Sequence, residues 1–178
     1  MSEDPIMTVA RLMELAARTA PKGKGEDFIE VRIIEGEEKN AVGREMMRIG
    51  EEKNSPGFRR DGQNVIDAKL LLLIGLLEHP GLGTDCRACG YESCGEFESA
   101  SEKDIFEGPN CTHRLVDLGI AVGSAVKTAS FHNVDNRIMY RAGIAAKSLG
   151  MIESNIAYGI PLSATGKNIF FDRKKAAT

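Results

Sequence analysis

Apolar positions along the first fifty residues recur with the period of a helix, broken once by a short β-rich run. Val9, Leu12, Met13 and Ala16 fall at i, i+3, i+4 and i+7. They predict a helix capped by Thr8 and running to about Thr19. Pro21, Gly23 and Gly25 end it. Phe28–Ile34 is rich in β-branched residues and predicts a strand. From Glu37 to about Lys53 a charged helix is predicted, with Val42, Met46 and Met47 turned inward, and Ser55-Pro56-Gly57 breaks the pattern. Val65 to Leu77 is long enough for a helix. Its continuous apolar run from Leu70 is also what a fully buried strand looks like, and a strand over about residues 68–75 is preferred.

His79–Gly83 reads as a loop, Tyr91–Lys103 as a helix carrying Cys94, and Glu107–Asn110 as a second turn. Leu115, Leu118, Val122, Ala125 and Val126 mark a further helix, in which Gly119 and Gly123 permit close packing. Another starts at Asn133 or Asp135 and carries Ile138, Met139, Ala142, Ala146 and Leu149, with Gly150 as its C-terminal cap. Asn155–Ile160 predicts a strand, and Ser163–Thr178 a basic, largely irregular tail. This alternation implies a single layered domain of mixed α and β structure over residues 1–178.

Charge and composition narrow the partners. A net charge of -3 leaves no basic excess to attract nucleic acid. The Leu70–Leu77 run is too short to span a bilayer, and the N-terminal Met1–Pro5 is acidic with no apolar run after it. The expectation is a cytoplasmic protein that engages neither nucleic acid nor membrane. In a reducing compartment, clustered cysteines point to metal binding or redox chemistry.

All four cysteines of the chain lie in residues 86–111: Cys86, Cys89, Cys94 and Cys111, spaced C-x2-C-x4-C-x16-C. Disulfides are opposed by the compartment. Structural zinc takes four cysteines, usually as two close pairs, and only one close pair is present here. One iron–sulfur cluster needs four thiolates, and two cubane clusters would need eight cysteines. The cluster is the preferred reading, with zinc and disulfides as its alternatives. Gly81 and Gly83 allow a tight approach to Cys86, Gly90 leaves backbone N–H groups near sulfur, Leu82 and Tyr91 offer shielding, and Pro109 stiffens the approach to Cys111. No catalytic residue is assigned, because no serine–histidine–acid or cysteine–histidine order is legible. His79, His113 and His132 are scattered; His113, two residues past Cys111, either hydrogen-bonds near the cluster or sits on the surface, and the surface is preferred.

The run from Pro80-Gly81 through Asp85-Cys86, Cys89-Gly90-Tyr91 and Cys94 to Cys111 resembles the [4Fe–4S] domain of the corrinoid iron–sulfur protein. It also resembles that of the cluster subunit of the ferredoxin:NAD electron-transport complex. Arg87 stands where those families have glycine and Thr112 where they have proline, and the Pro-Gly pair sits two residues further upstream. The resemblance implies one [4Fe–4S] cluster on the four cysteines, held in an inserted segment, residues 80–112. The whole chain is similar to a family of ferredoxin-domain proteins of archaea and anaerobic bacteria. That likeness is carried by Ala17–Gly25, the cysteine block and Gly159–Asn168.

A second resemblance is to flavin-dependent nitroreductases, in Ala20-Pro21 with the glycines after it, in Ala145–Met151 and in Gly159–Leu162. It implies a nitroreductase-like layered α+β sandwich, a possible homodimer and FMN as a possible cofactor. Lys22 stands where that family has serine, so no flavin ligand is assigned. Arg18 reads as a solvated helix end and Lys22–Gly25 as a flexible basic turn rather than a phosphate cradle. Gly166-Lys167-Asn168 lacks the spacing of a phosphate-binding P-loop. Three functions follow in order: an electron-transfer module with a redox partner protein, a flavin- and cluster-dependent reductase, and a structural metal-binding protein.

Overall fold

The computed structural model describes residues 4–172. Helices α1 (Pro5–Thr19), α2 (Gly36–Glu52), α3 (Pro56–Asp67), α4 (Cys94–Ser99), α5 (Thr112–Phe131) and α6 (Tyr140–Ser148) alternate with strands. The strands are β1 (Ile29–Glu35), β2 (Leu70–Leu76), β3 (Glu102–Lys103), β4 (Glu107–Gly108), β5 (Asp135–Asn136) and β6 (Ile156–Ser163). The main sheet runs β1-β2-β6-β5, antiparallel throughout, and β3-β4 form a separate small hairpin. The mixed α and β architecture is the one expected.

The apolar run is buried on both faces, as a strand between two helical layers must be. Leu70, Leu72, Ile74 and Leu76 face α1 and α5, packing on Met13, Ala17, Leu118 and Ala125. Leu71 and Leu73 face α2, α3 and α6, packing among Met46, Val65, Ala142 and Ala146. Each such leucine contributes about 2 kcal/mol by burial. At its far end the chain leaves the sheet through residues 77–111 and returns as α5.

Several boundaries differ from expectation for local reasons. Asp4, not Thr8, caps α1: its carboxylate accepts the Ile6 N–H at 2.9 Å and Pro5 occupies the first helical position. The buried face of α1 is Val9, Ala10, Met13 and Ala17, leaving Leu12 outside. Pro56 starts α3 rather than ending a pattern, since a proline at N1 lacks only an N–H that the helix would not use. The predicted Tyr91–Lys103 helix shrinks to α4, after which β3 pairs with β4. Asp135–Asn136 joins the sheet instead of starting a helix, and Met139 bridges to Gly159, so α6 begins at Tyr140. Ile138 and Leu149 are exposed. Strand β6 passes through Pro161: Gly159 exchanges both backbone hydrogen bonds with Met139, so the Pro161 nitrogen points to the same edge, in the gap before β5. Gly119 and Gly123 face outward with nothing within 4 Å of a Cβ, beside the exposed Val116 and Ile120. They do not mediate packing within the described residues. The predicted tail lies within the structure only to Asp172, and its last six residues lie outside the described ones.

Helix α6 lies on β6 through one glycine. A Cβ on Gly143 would stand 1.8 Å from the Ala157 carbonyl oxygen. Gly143→Ala therefore forces the helix off the strand, and a loss of about 3 kcal/mol or more is expected in urea denaturation. A loss below about 1 kcal/mol would contradict this packing.

Candidate metal centre

The cysteine segment is curled by its backbone. Gly83, Asp85, Arg87 and Gly90 all take positive φ, between 46° and 91°. Asp85 turns the loop back on itself, its carboxylate accepting the Cys94 N–H at 2.7 Å. Ser93 caps α4 by accepting the Glu96 N–H at 3.1 Å, and Glu96 accepts the Glu92 N–H at 2.8 Å. Glu98 accepts the Gly81 N–H at 2.9 Å. A Cβ on Gly81 would lie 3.2 Å from the Cys94 sulfur, so the missing side chain leaves that thiol its room.

The base of the segment is clasped by His79. Its Nδ1 lies 3.2 Å from the Pro80 carbonyl and its Nε2 3.2 Å from Asn110 Oδ1. Asn110 in turn donates through Nδ2 to the Glu107 carbonyl at 2.7 Å, which fixes the amide's orientation and makes Nε2 of His79 the donor. The ring stacks on Phe97 at 6.2 Å and 12°, and Tyr91 meets Phe97 edge-on at 6.0 Å. The residue entering the loop and the residue before Cys111 are thus joined.

A second network fixes α5 beneath the segment. Arg114, fully buried, donates through Nη1 to the Gly23 carbonyl at 2.9 Å and lies 3.4 Å from Asp117, while its Nη2 pairs with Glu26. Asp117 accepts the Gly23 N–H at 2.9 Å, and the guanidinium sits 4.7 Å over the Phe28 ring. Gly23 also meets Leu82, two residues into the loop after Pro80. The first turn of α5 is thereby locked to the turn after α1.

Four free thiols result, in graded exposure. Cys111 is buried at the N-cap of α5. Cys89 and Cys94 are half-buried and Cys86 is exposed. The Ala88 N–H, and after it the Thr84 hydroxyl, hold the Cys86 thiol below the usual thiol range. His113, expected at the surface, brings Nε2 to 3.5 Å from Cys86 Sγ. A hydrogen bond beside the cysteines was the less favoured of its two readings, and the partner is 27 residues away. Among the described residues no three Cys, His, Asp or Glu side chains converge tightly enough to hold a single ion. The donors nevertheless fit a cluster in kind: four unpaired thiols, carried by a curled loop tied to Cys94 by Asp85 and a helix start tied to Cys86 by His113.

The turn after α1 does not fit a flavin phosphate. Lys22 is almost wholly buried and is spent on the carbonyls of Ala17, Arg18 and Ala20, at 3.3, 2.6 and 2.9 Å. Arg18 pairs with Asp27 at 3.2 Å and donates to the Ile29 carbonyl. Lys22 thereby caps the end of α1. Asn168 is likewise structural, accepting the N–H groups of Phe170 and Phe171 at 3.1 and 3.2 Å.

An antiparallel sheet between two helical layers defines a nitroreductase-like α+β protein. The chain is similar in fold to the FMN and NADPH-dependent nitroreductase NfnB of Sphigopyxis sp. strain HMH, with a TM-score of 0.58 and 15% identity, covering 100% of this chain and 86% of that one. A BluB-like flavoprotein of Clostridium difficile 630 gives 0.54 and 14%, over 99% and 86% of the two chains. The hypothetical oxidoreductase YcnD of Bacillus subtilis gives 0.53 and 14%, over 94% of this chain, which spans only 59% of YcnD. In sequence, a protein of Archaeoglobus fulgidus is 47% identical over 169 residues, 94% of this chain and 91% of its relative. Residues 107–173 match the family described as "Uncharacterized protein containing a ferredoxin domain (DUF2148)", and the chain belongs to that family. Membership points to an iron–sulfur protein. Among the described residues no helix is long and apolar enough to cross a membrane.

The Arg114 network sets a test of the platform. Removing a buried charge partner costs about 3–5 kcal/mol, whereas an exposed one costs about 1 kcal/mol or less. Arg114→Ala is expected to lose stability in the first range and Glu26→Ala, whose side chain is 48% exposed, in the second. Equal losses in urea denaturation would contradict the arrangement.

Proposed function

We propose that the chain holds one [4Fe–4S] cluster on Cys86, Cys89, Cys94 and Cys111, within an inserted segment at residues 80–112, and serves as a one-electron carrier. The observation that carries this is that all four thiols of the chain are unpaired and lie on one curled segment that ends at the start of α5. When bound, such a cluster takes up and gives up a single electron. The chain's own residues hold it, shield it and tune it. Cys111 anchors from the buried side, Gly81 leaves space for the Cys94 sulfur, and Phe97 packs between His79 and Tyr91 to exclude water from the base of the segment. Exposed Glu92, Glu96, Glu98 and Glu102 give the segment an acidic surface. That surface suits redox partners with basic docking faces. One electron enters from a reduced donor protein and leaves to an acceptor protein, and no covalent bond of the chain is made or broken.

The reductase reading draws on the fold, since the similar NfnB is described as FMN- and NADPH-dependent. The self-satisfied turn at Arg18 and Lys22 favours the carrier over it. The test is the absorption of anaerobically purified protein. A broad violet shoulder that dithionite bleaches, without resolved flavin bands, is expected. Cys94→Ser is expected to lose or convert that absorption while circular dichroism keeps its helical signal. Unchanged iron content and spectrum in this variant would overturn the ligand assignment.

A further inference from the structure

We propose that His113 is a positioning residue for the cluster: through Nε2 it donates a hydrogen bond to the Cys86 sulfur and so sets the reduction potential of the exposed corner. The inference rests on the carrier reading above. The two side chains come from elements far apart in sequence and meet at 3.5 Å, within range of an N–H···S hydrogen bond. The meeting is fixed rather than incidental. His113 lies in the first turn of α5, and the next residue, Arg114, is fully buried and bound to the Gly23 carbonyl, Glu26 and Asp117. On the other side, Asp85 holds the Cys86 loop through the Cys94 N–H. The residues next to both partners are thus tied to other parts of the fold.

Cys86 is also the one thiol of the four that is exposed, while Cys111 is buried. A cluster held by the four thiols would be least shielded by the chain at Cys86, so a donor to that sulfur would act where solvent and partner approach. A hydrogen bond to ligand sulfur withdraws negative charge and favours the reduced, more negative state. The imidazole therefore raises the potential relative to a side chain with no donor.

The experiment compares His113→Leu, which removes the donor, with His113→Gln, which keeps an N–H. Iron and sulfide per chain, the midpoint potential at fixed pH, and nitrogen hyperfine coupling in the reduced protein are measured for both and for the unaltered chain. His113→Leu is expected to keep its iron while its midpoint falls by about tenfold in the redox equilibrium, 59 mV for one electron. His113→Gln is expected to stay near the unaltered value. An unchanged midpoint in His113→Leu overturns the assignment. Loss of iron in that variant, together with strong nitrogen coupling in the unaltered protein, also overturns it, by making His113 a ligand. An unaltered chain without iron and sulfide overturns the carrier reading and this inference together, whereas an intact cluster insensitive to His113 overturns this inference alone.

Discussion

Burial of β2 on both faces is the constraint on which the rest is built. Its leucines alternate between two cores, one under α1 and α5, the other under α2, α3 and α6. The strand also fixes where the chain leaves the sheet, since the Leu76 carbonyl accepts the Asn155 N–H at 2.7 Å and the Leu77 N–H reaches the Phe28 carbonyl at 2.9 Å. The cysteine segment starts from a point hydrogen-bonded on both sides.

Two polar networks then convert a long excursion into a positioned site. His79 joins Pro80 to Asn110 and closes the base of the loop. Arg114 and Asp117 bind the turn after α1 to the start of α5, burying charge that is matched on the spot. In the same turn Lys22 and Arg18 are taken up by the carbonyls ending α1 and by Asp27. On this nitroreductase-like scaffold the Gly23 backbone and Glu26 are bonded to α5, on which the cysteine segment ends.

Legibility in the sequence followed the range of the interactions. The β2 strand was readable because an unbroken apolar run of that length is the local signature of burial on both faces. The donor set was readable because cysteine names its own chemistry. Helix α3 was lost to Pro56, which carries the same letter whether it breaks a helix or begins one. The roles of His79 and Arg114 were not readable, because their partners lie 31 and 91 residues away and no spacing rule connects them, whereas the place of His113 beside Cys111 suggested a contact at the cysteines without naming Cys86, 27 residues away. Gly119 and Gly123 looked like packing residues by type, yet they face outward, and Gly143, which passed unnoticed, makes the closest helix–strand approach.

The most direct test of the account is the inorganic content of the anaerobically purified chain, with iron, acid-labile sulfide and zinc measured on the same sample. The account predicts about four iron and four sulfide per chain and no stoichiometric zinc. One zinc per chain with no sulfide would contradict it, leaving the four cysteines as a structural clip on a nitroreductase-like fold.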